Sequence, residues 1–328
     1  MAVPGPAGVG FGDGGRLVGG SYWGAPSVPA VRGGGVSPVG WADAARLLLG
    51  WVREGCTAGC GPCGAGRIVK HVVMFSSGAG SWAAARRVAD QHGSDDLWLL
   101  FSDVSMEDED NYRFLHEAAA DVGGTFVVVK DGRDIWQVFK DNRFLGNSRL
   151  ANCSKFLKQK PARDWLDANC DPTDTTVYVG IDWTESHRMA AVIRNYLPYV
   201  AQAPLCEPPY LYRDQILADL RRRKIAPPRL YDLGFAHANC GGGCVRAGQG
   251  QFAHLLQVMP ERYAEWEANE QDLREHLGAD VSILKDRAGG TAVPLTLRAF
   301  RERHESDSSQ TDMFDIGGCG CFVAEDTP

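Results

Sequence analysis

The segment from His71 to Asp90, HVVMFSSGAGSWAAARRVAD, constrains the fold more than any other stretch. Val72, Val73, Met74 and Phe75 form a short apolar run, as expected of a strand buried in a parallel sheet. Ser76 to Ser81 are almost all small, and Trp82 to Asp90 reads as an alanine-rich helix with Ser81 placed as its N-cap. Small residues let a backbone approach a ligand closely, and the unpaired N–H groups of a helix start favour an anion, phosphate above all. The segment therefore predicts a phosphate cradle after the first strand of a doubly wound sheet.

The strands and helices that follow fit that sheet. Leu97–Phe101 reads as a second strand ending at Ser102-Asp103, Glu107–Val122 as a helix, and Thr125–Val129 as a third strand. Thr176–Gly180 is a further strand, and Asp214–Lys224 a helix whose cations suit its C-terminus. Alternating strands and helices imply parallel βαβ units, with ligands at the carboxyl ends of strands. Ser76–Ser81 and Asp103 fall at such ends. Beyond them, Gln249–Met259, Glu261–His276 and Pro294–His304 read as helices. The fold class expected is α/β, a doubly wound and mostly parallel sheet with a C-terminal helical, cysteine-bound subdomain.

The 328 residues then divide into a Gly/Pro-rich segment 1–66 expected to be disordered or weakly ordered, a nucleotide-binding domain 67–235 and a helical cysteine subdomain 236–328. A net charge of −7 argues against a broadly basic nucleic-acid surface. No apolar run reaches the length of a membrane span. Ten cysteines without a preceding signal peptide point to the cytoplasm and to metal ligands or catalytic thiols.

Three cysteine groups stand out. Cys56, Cys60 and Cys63 have the CxxxCxxC spacing of radical S-adenosylmethionine enzymes, but they lie in Gly-rich sequence before the first convincing strand. Cys240 and Cys244 flank three glycines, and Cys319 and Cys321 flank one. Glycines permit tight wrapping of a backbone around a bound atom. Two such pairs predict one four-thiolate site, suited by residue type to zinc or to an iron–sulfur cluster.

The loop Ser76-Ser77-Gly78-Ala79-Gly80-Ser81 resembles the PP-loop, SGGxDS, of the ATP pyrophosphatase and phosphoadenosine phosphosulfate (PAPS) reductase superfamily, with Ser77 where the family has Gly and Gly80 where it has Asp. The stretch with Arg149, Cys153 and Lys158 resembles the Cys-x-x-x-x-Lys segment of PAPS and adenylylsulfate reductases. Gly180, Glu185, Ser186 and Arg188 match their Gly-x-x-x-x-Glu-Ser-x-x-Arg pattern. The resemblance covers roughly residues 68 to 250. It implies an adenine nucleotide alpha hydrolase-like sheet that binds ATP or PAPS through Ser76, Ser77, Gly78, Gly80, Ser81, Asp103, Arg149, Lys158, Glu185 and Arg188. It adds Cys153 to the metal ligands Cys240, Cys244, Cys319 and Cys321, and makes Cys319 or Cys321 a catalytic thiol. The Glu-Cys-Gly-Leu-His context of the reductase nucleophile is missing here.

Three functions follow from the resemblance. One is reduction of a sulfonucleotide, with a thiol reductant as partner. Another is ATP-dependent adenylation of a small molecule or nucleobase before thiolation or amidation, with a sulfur acceptor as partner. The third is non-catalytic binding of a nucleotide or nucleic acid with a structural metal.

Overall fold

The computed structural model describes residues 69–147, 150–287 and 290–306, which lie in the compact unit Ala65–Pro328. The expectations for residues 1–66, including Cys56, Cys60 and Cys63, and those for Arg149, Cys319 and Cys321 lie outside the described residues.

The sheet is built from β1 (Lys70–Met74), β2 (Leu97–Asp103), β3 (Thr125–Lys130), β4 (Thr175–Tyr178) and β5 (Val200–Gln202). All neighbours pair in parallel, in the order β3-β2-β1-β4-β5. The chain thus moves outward through β2 and β3, then returns across β1 to start β4. β1 and β4 flank the point where strand order reverses, and Val72 is in register with Trp98 on one side and Val177 on the other.

Alternation along β1 assigns the two faces. Val73 and Phe75 pack in one cluster with the helices α1 (Ala79–His92), α2 (Glu109–Val122) and α6 (Arg213–Arg222). Val72 and Met74 pack in another with α4 (Lys160–Asn169) and α5 (Met189–Tyr196). Helices therefore cover both faces, the doubly wound α/β arrangement expected from the sequence. The alanines of α1 are functional in this packing: Ala83, Ala84 and Ala85 are buried and let the helix lie close to the sheet.

A third cluster joins α3 (Ile135–Asp141) to α7 (Arg229–Asp232), α8 (Gln249–Val258), α9 (Pro260–Leu277), the antiparallel pair β6 (Leu284–Asp286) and β7 (Val293–Leu295), and α10 (Leu297–Ser306). Leu230 and Phe235 belong to it as much as Phe252 and Trp266 do. Glu270 in α9 accepts from the backbone N–H groups of Ile283 (2.8 Å) and Leu297 (2.6 Å), tying the hairpin and the start of α10 to the helix. Pro294 lies in β7, not in the last helix as the sequence predicts. The cations at the end of α6 are spent on ion pairs: Arg221 with Asp232, Arg222 with Asp219, and Arg223 with Asp121.

Two local expectations are corrected. Helix α1 begins at Ala79 with Gly78 as its N-cap, so Ser81 is in the first turn and not the cap. The basic stretch after Cys153 opens as a π-helix, Ser154–Gln159, which buries Leu157 and Lys158 before α4 takes over. One residue is inserted per turn relative to an α-helix, and this rotates side chains away from the face a regular helix would give them.

Candidate active site at the β1/β4 switch point

An open cleft of about 350 Å³ lies at the carboxyl ends of β1 and β4. Its floor is the turn Ser76–Ser81, which is knitted by two hydroxyls. Ser81 Oγ sits 2.7 Å from the Ser76 carbonyl oxygen and 2.9 Å from that of Gly78, and accepts from the Ser76 N–H at 3.1 Å. Ser76 Oγ donates to Ser81 Oγ at 3.1 Å and accepts from the Gly78 N–H at 3.3 Å. The two serines shape the turn and leave the backbone to meet a ligand. The Ala79 N–H donates to the Tyr231 hydroxyl at 3.3 Å. Gly80 and Ser81, next in the first turn of α1, have no intrahelical acceptor for their N–H groups, as at any helix start.

Gly180 and the segment after β4 form the facing wall. There Asp182 caps a short 3₁₀ turn, Trp183–Arg188, by accepting from the Thr184 N–H at 2.8 Å. The turn presents Glu185 and Arg188 on the same side, and the Arg188 guanidinium donates to Glu185 Oε1 at 2.5 Å. A carboxylate in this position fixes the planar guanidinium while leaving donors for an anion. Arg213, at the start of α6, and Ala236–Asn239 complete the wall. His237 keeps part of its ring open to the cleft. Desolvation by the surrounding protein lowers its pKa, Arg213 and Arg188 lower it further, and Glu185 and Asp182 oppose them.

Six of the nucleotide-binding residues expected from the sequence therefore meet in one cleft: Ser76, Gly78, Gly80, Ser81, Glu185 and Arg188. Three others lie elsewhere. Ser77 is buried and turned to Asn111, whose Nδ2 donates to it at 3.2 Å. Asp103 accepts from the Ser105 N–H (2.8 Å), Tyr112 OH (2.7 Å) and Lys130 Nζ (3.1 Å). Burial would raise its pKa, but these partners together hold it below the usual carboxylate value. Lys158 is buried with its Nζ 3.6 Å from Glu107 Oε1, beneath the cysteine loop. Arg213, Tyr231, His237 and Asn239 line the cleft without having been singled out in the sequence. The one signal for His237 is its place three residues before Cys240.

Among the described residues the expected thiolate site is represented by Cys240 and Cys244. They are hydrogen-bonded to each other, and that contact together with burial pushes the Cys240 thiol well up. Cys153 packs against the same apolar cluster as Cys244. No group of three or more His, Cys, Asp or Glu side chains suited to a metal forms among the described residues. The glycines between the pair serve packing. A Cβ on Gly241 would meet Arg262 and the Met106 carbonyl oxygen, and one on Gly243 would enter the indole of Trp266. Cys240 and Cys244 are two of the thiols expected to share a site, and Cys319 and Cys321 lie outside the described residues.

No protein-family model matches the sequence, and comparison with curated proteins gives no match. Among solved structures, the chain is similar to phosphoadenylyl-sulfate (PAPS) reductase from Candida auris, with 13% identity over 62% of this chain and 95% of that one, at a TM-score of 0.38. It is also similar to NH3-dependent NAD synthetase from Campylobacter jejuni, with 12% identity, 73% and 94% coverage and a TM-score of 0.36. A third is the U34-tRNA thiolase NcsA from Methanococcus maripaludis, solved with its [4Fe-4S] cluster, with 12% identity, 65% and 74% coverage and a TM-score of 0.36.

Proposed function

We propose that the protein is a PP-loop enzyme that binds an adenine nucleotide, ATP or PAPS, in the β1/β4 cleft. The observation that carries this reading is the convergence of the turn Ser76–Ser81, at the N-terminus of α1, with the Glu185-held Arg188 and with Arg213. Backbone N–H groups at a helix start and two guanidinium groups suit the phosphates or the sulfate of such a nucleotide. His237 is the cleft's candidate proton carrier, because its lowered pKa keeps it neutral at pH 7 and able to accept a proton.

Two reactions fit that binding mode. In the first, a thiolate of Cys321 or Cys319 attacks the sulfur of the sulfonucleotide. The S–O bond to the nucleotide phosphate breaks, and a thiol reductant then frees sulfite as a disulfide forms. In the second, the cleft holds ATP while a substrate oxygen attacks its α-phosphorus and pyrophosphate leaves. No thiol lines the cleft among the described residues, so the first reaction rests on the two tail cysteines. The test is to titrate the protein with ATP and with adenosine 3′,5′-bisphosphate. It is then incubated with PAPS plus a dithiol for sulfite release, and with ATP plus candidate acceptors for pyrophosphate release. Sulfite identifies the reductase and pyrophosphate the adenylating enzyme. Binding of nucleotide with neither product leaves a non-catalytic module, and failure to bind either nucleotide removes the reading.

A further inference from the structure

A second cavity, of about 200 Å³, shares no lining residue with the β1/β4 cleft. It is lined by the segment that leaves α3, by the end of α9 and by β6. Leu145, Leu277 and Val281 give it an apolar wall, and Arg143 and Lys285 bring two cations to it. Leu145 is buried, and the turn before it is fixed by the Phe144 N–H, which donates to the Phe139 carbonyl oxygen at 3.0 Å. Drug-sized ligands occupy roughly 300–1,000 Å³, so a cavity of this size suits a smaller molecule.

Both cations are uncommitted. Neither the Arg143 guanidinium nor the Lys285 ammonium makes an ion pair or hydrogen bond among the described residues. The carboxylates near them in the chain are matched elsewhere: Asp141 with Arg133 at 2.8 Å, Asp280 with Arg274 at 2.9 Å, and Asp286 with Arg303 at 2.8 Å. Glu275 accepts from Gln271 at 2.9 Å. The C-terminus of α9 carries a partial negative charge, but the Gly278 N–H takes up the Arg274 carbonyl oxygen at 2.9 Å and that of Glu275 at 3.3 Å. A chain of net charge −7 thus leaves two cations together at one apolar-walled cavity. Arg143 also holds a backbone conformation that suits it poorly. α3 closes with the Arg143 N–H donating to the Lys140 carbonyl oxygen at 3.0 Å, and Arg143 has φ 49°. Glycine or asparagine is the usual residue in that left-handed position. The strain falls on a residue whose side chain lines the cavity, as it does at ligand clamps.

We propose that this cavity binds a small organic phosphate monoester, its phosphate held by Arg143 and Lys285 and its carbon skeleton against Leu145, Leu277 and Val281. A phosphate monoester carries about −1.5 to −2 charges at neutral pH and so matches two cations, where a carboxylate would leave one over. The guanidinium fork suits two phosphate oxygens, and the lysine adds a point charge. Covering the apolar wall takes its surface out of water, which favours an organic phosphate over inorganic phosphate. The site stands independently of the nucleotide reading, because the cleft uses none of these residues.

The full chain is titrated calorimetrically with phenyl phosphate, and with benzoate, inorganic phosphate and benzyl alcohol as controls for charge and skeleton. The Arg143→Gly/Lys285→Gln double variant, the Arg143→Gly single variant and the cleft variant Arg188→Ala are titrated alongside. Phenyl phosphate is expected to bind the wild type and Arg188→Ala equally, and more tightly than any control. The double variant should lose roughly tenfold or more of that affinity, the effect of lost charge-assisted hydrogen bonds. Glycine is at home at φ 49°, so Arg143→Gly should melt close to the wild type. Weakened binding by that variant then reports the missing side chain and not misfolding, and it decides alone if the double variant fails to fold. Any of four results overturns the site: no binding of phenyl phosphate, a control that binds as tightly, undiminished affinity in the folded variants at Arg143, or a loss in Arg188→Ala, which would move the anion to the cleft.

Discussion

Gly80 and Gly180 meet with their backbones in contact across the floor of the cleft. A Cβ on Gly180 would stand 2.8 Å from the Cα of Ser81, and one on Gly80 would stand 3.2 Å from the Gly180 carbonyl oxygen. Neither neighbour is a side chain that could swing aside. The turn after β1 and the turn after β4 can approach this closely only because both residues lack a Cβ. Gly180→Ala is therefore expected to cost about 1–3 kcal/mol through overpacking and to weaken adenine-nucleotide binding by displacing the turn. Chemical denaturation and calorimetric titration of the same variant check both effects. Unchanged affinity in a destabilised but folded Gly180→Ala protein would separate this turn from phosphate binding.

Arg188 is the cleft cation already committed to a geometry by Glu185. Removing a charge-assisted hydrogen bond to the ligand costs about 1.5–3 kcal/mol, which is roughly tenfold or more in affinity. Arg188→Ala should show that loss. Arg188→Lys should not restore it, because a lysine offers a point charge in place of a planar fork. Equal nucleotide affinity in wild type and Arg188→Ala would place the anion elsewhere.

Far from the cleft, His71 at the start of β1 is buried, stacked on His92 at a centroid distance of 4.1 Å, and 2.9 Å from the Tyr178 hydroxyl through Nδ1. Burial lowers its pKa below the usual 6.5, and His92 lowers it further against the pull of Asp96. The unfolded chain therefore takes up this proton at a higher pH than the folded one. Stability is full above the unfolded value and falls as pH drops from there toward the folded value. Denaturation midpoints measured from about pH 8 to pH 5 should decline on the acid side, and less steeply in His71→Phe. The same acid-side decline in both proteins would assign it to other groups.

The cysteine loop makes a sharp packing prediction. Gly243→Ala drives a methyl group into the Trp266 indole, at the centre of the third apolar cluster. A loss of about 1–3 kcal/mol is expected, read as a lower midpoint in urea with an unchanged slope. Wild-type stability would mean that the Trp266 indole can shift to make room for the methyl group.

These residues also show what a sequence can and cannot tell. The β1–turn–α1 unit was legible because an apolar run, small residues and alanines at helical spacing are all local signals. Glu185 and Arg188 were legible because one 3₁₀ turn holds both. Asp103 and Lys158 were not. A strand-end Asp suits a ligand or a local network equally well until Tyr112 and Lys130 are placed around it. Lys158 turns inward because of a π-helical insertion that no residue pattern announces. β5, β6 and β7 have three residues each, too short for a period to register. Arg213 and His237 reach the cleft across more than a hundred positions of chain from Ser76, a proximity set by tertiary packing alone.

The same packing joins the cleft to the cysteines through Asn111, which is fully buried. Its Nδ2 donates to Ser77 Oγ at 3.2 Å, to Glu107 Oε2 at 3.3 Å and to the Ala238 carbonyl oxygen. Glu107 in turn accepts from the Cys240 N–H at 2.8 Å and lies 3.6 Å from Lys158 Nζ. One amide thus braces the turn Ser76–Ser81 from behind and holds the loop that carries both His237 and Cys240. Asn111→Leu keeps the volume but leaves three buried acceptors short of a donor, each worth about 1–3 kcal/mol. The variant is expected to be less stable, to bind adenine nucleotide more weakly through Ser77, and to expose Cys240 and Cys244 to faster modification by a thiol reagent. Asn111→Asp sets a second carboxylate beside Glu107 and should be worse at neutral pH, with partial recovery in mild acid as one of the two takes a proton. Thermal denaturation, nucleotide titration and thiol labelling of the same preparations separate the outcomes. A folded Asn111→Leu protein with normal nucleotide affinity and normal thiol labelling would show that the two sites are built independently.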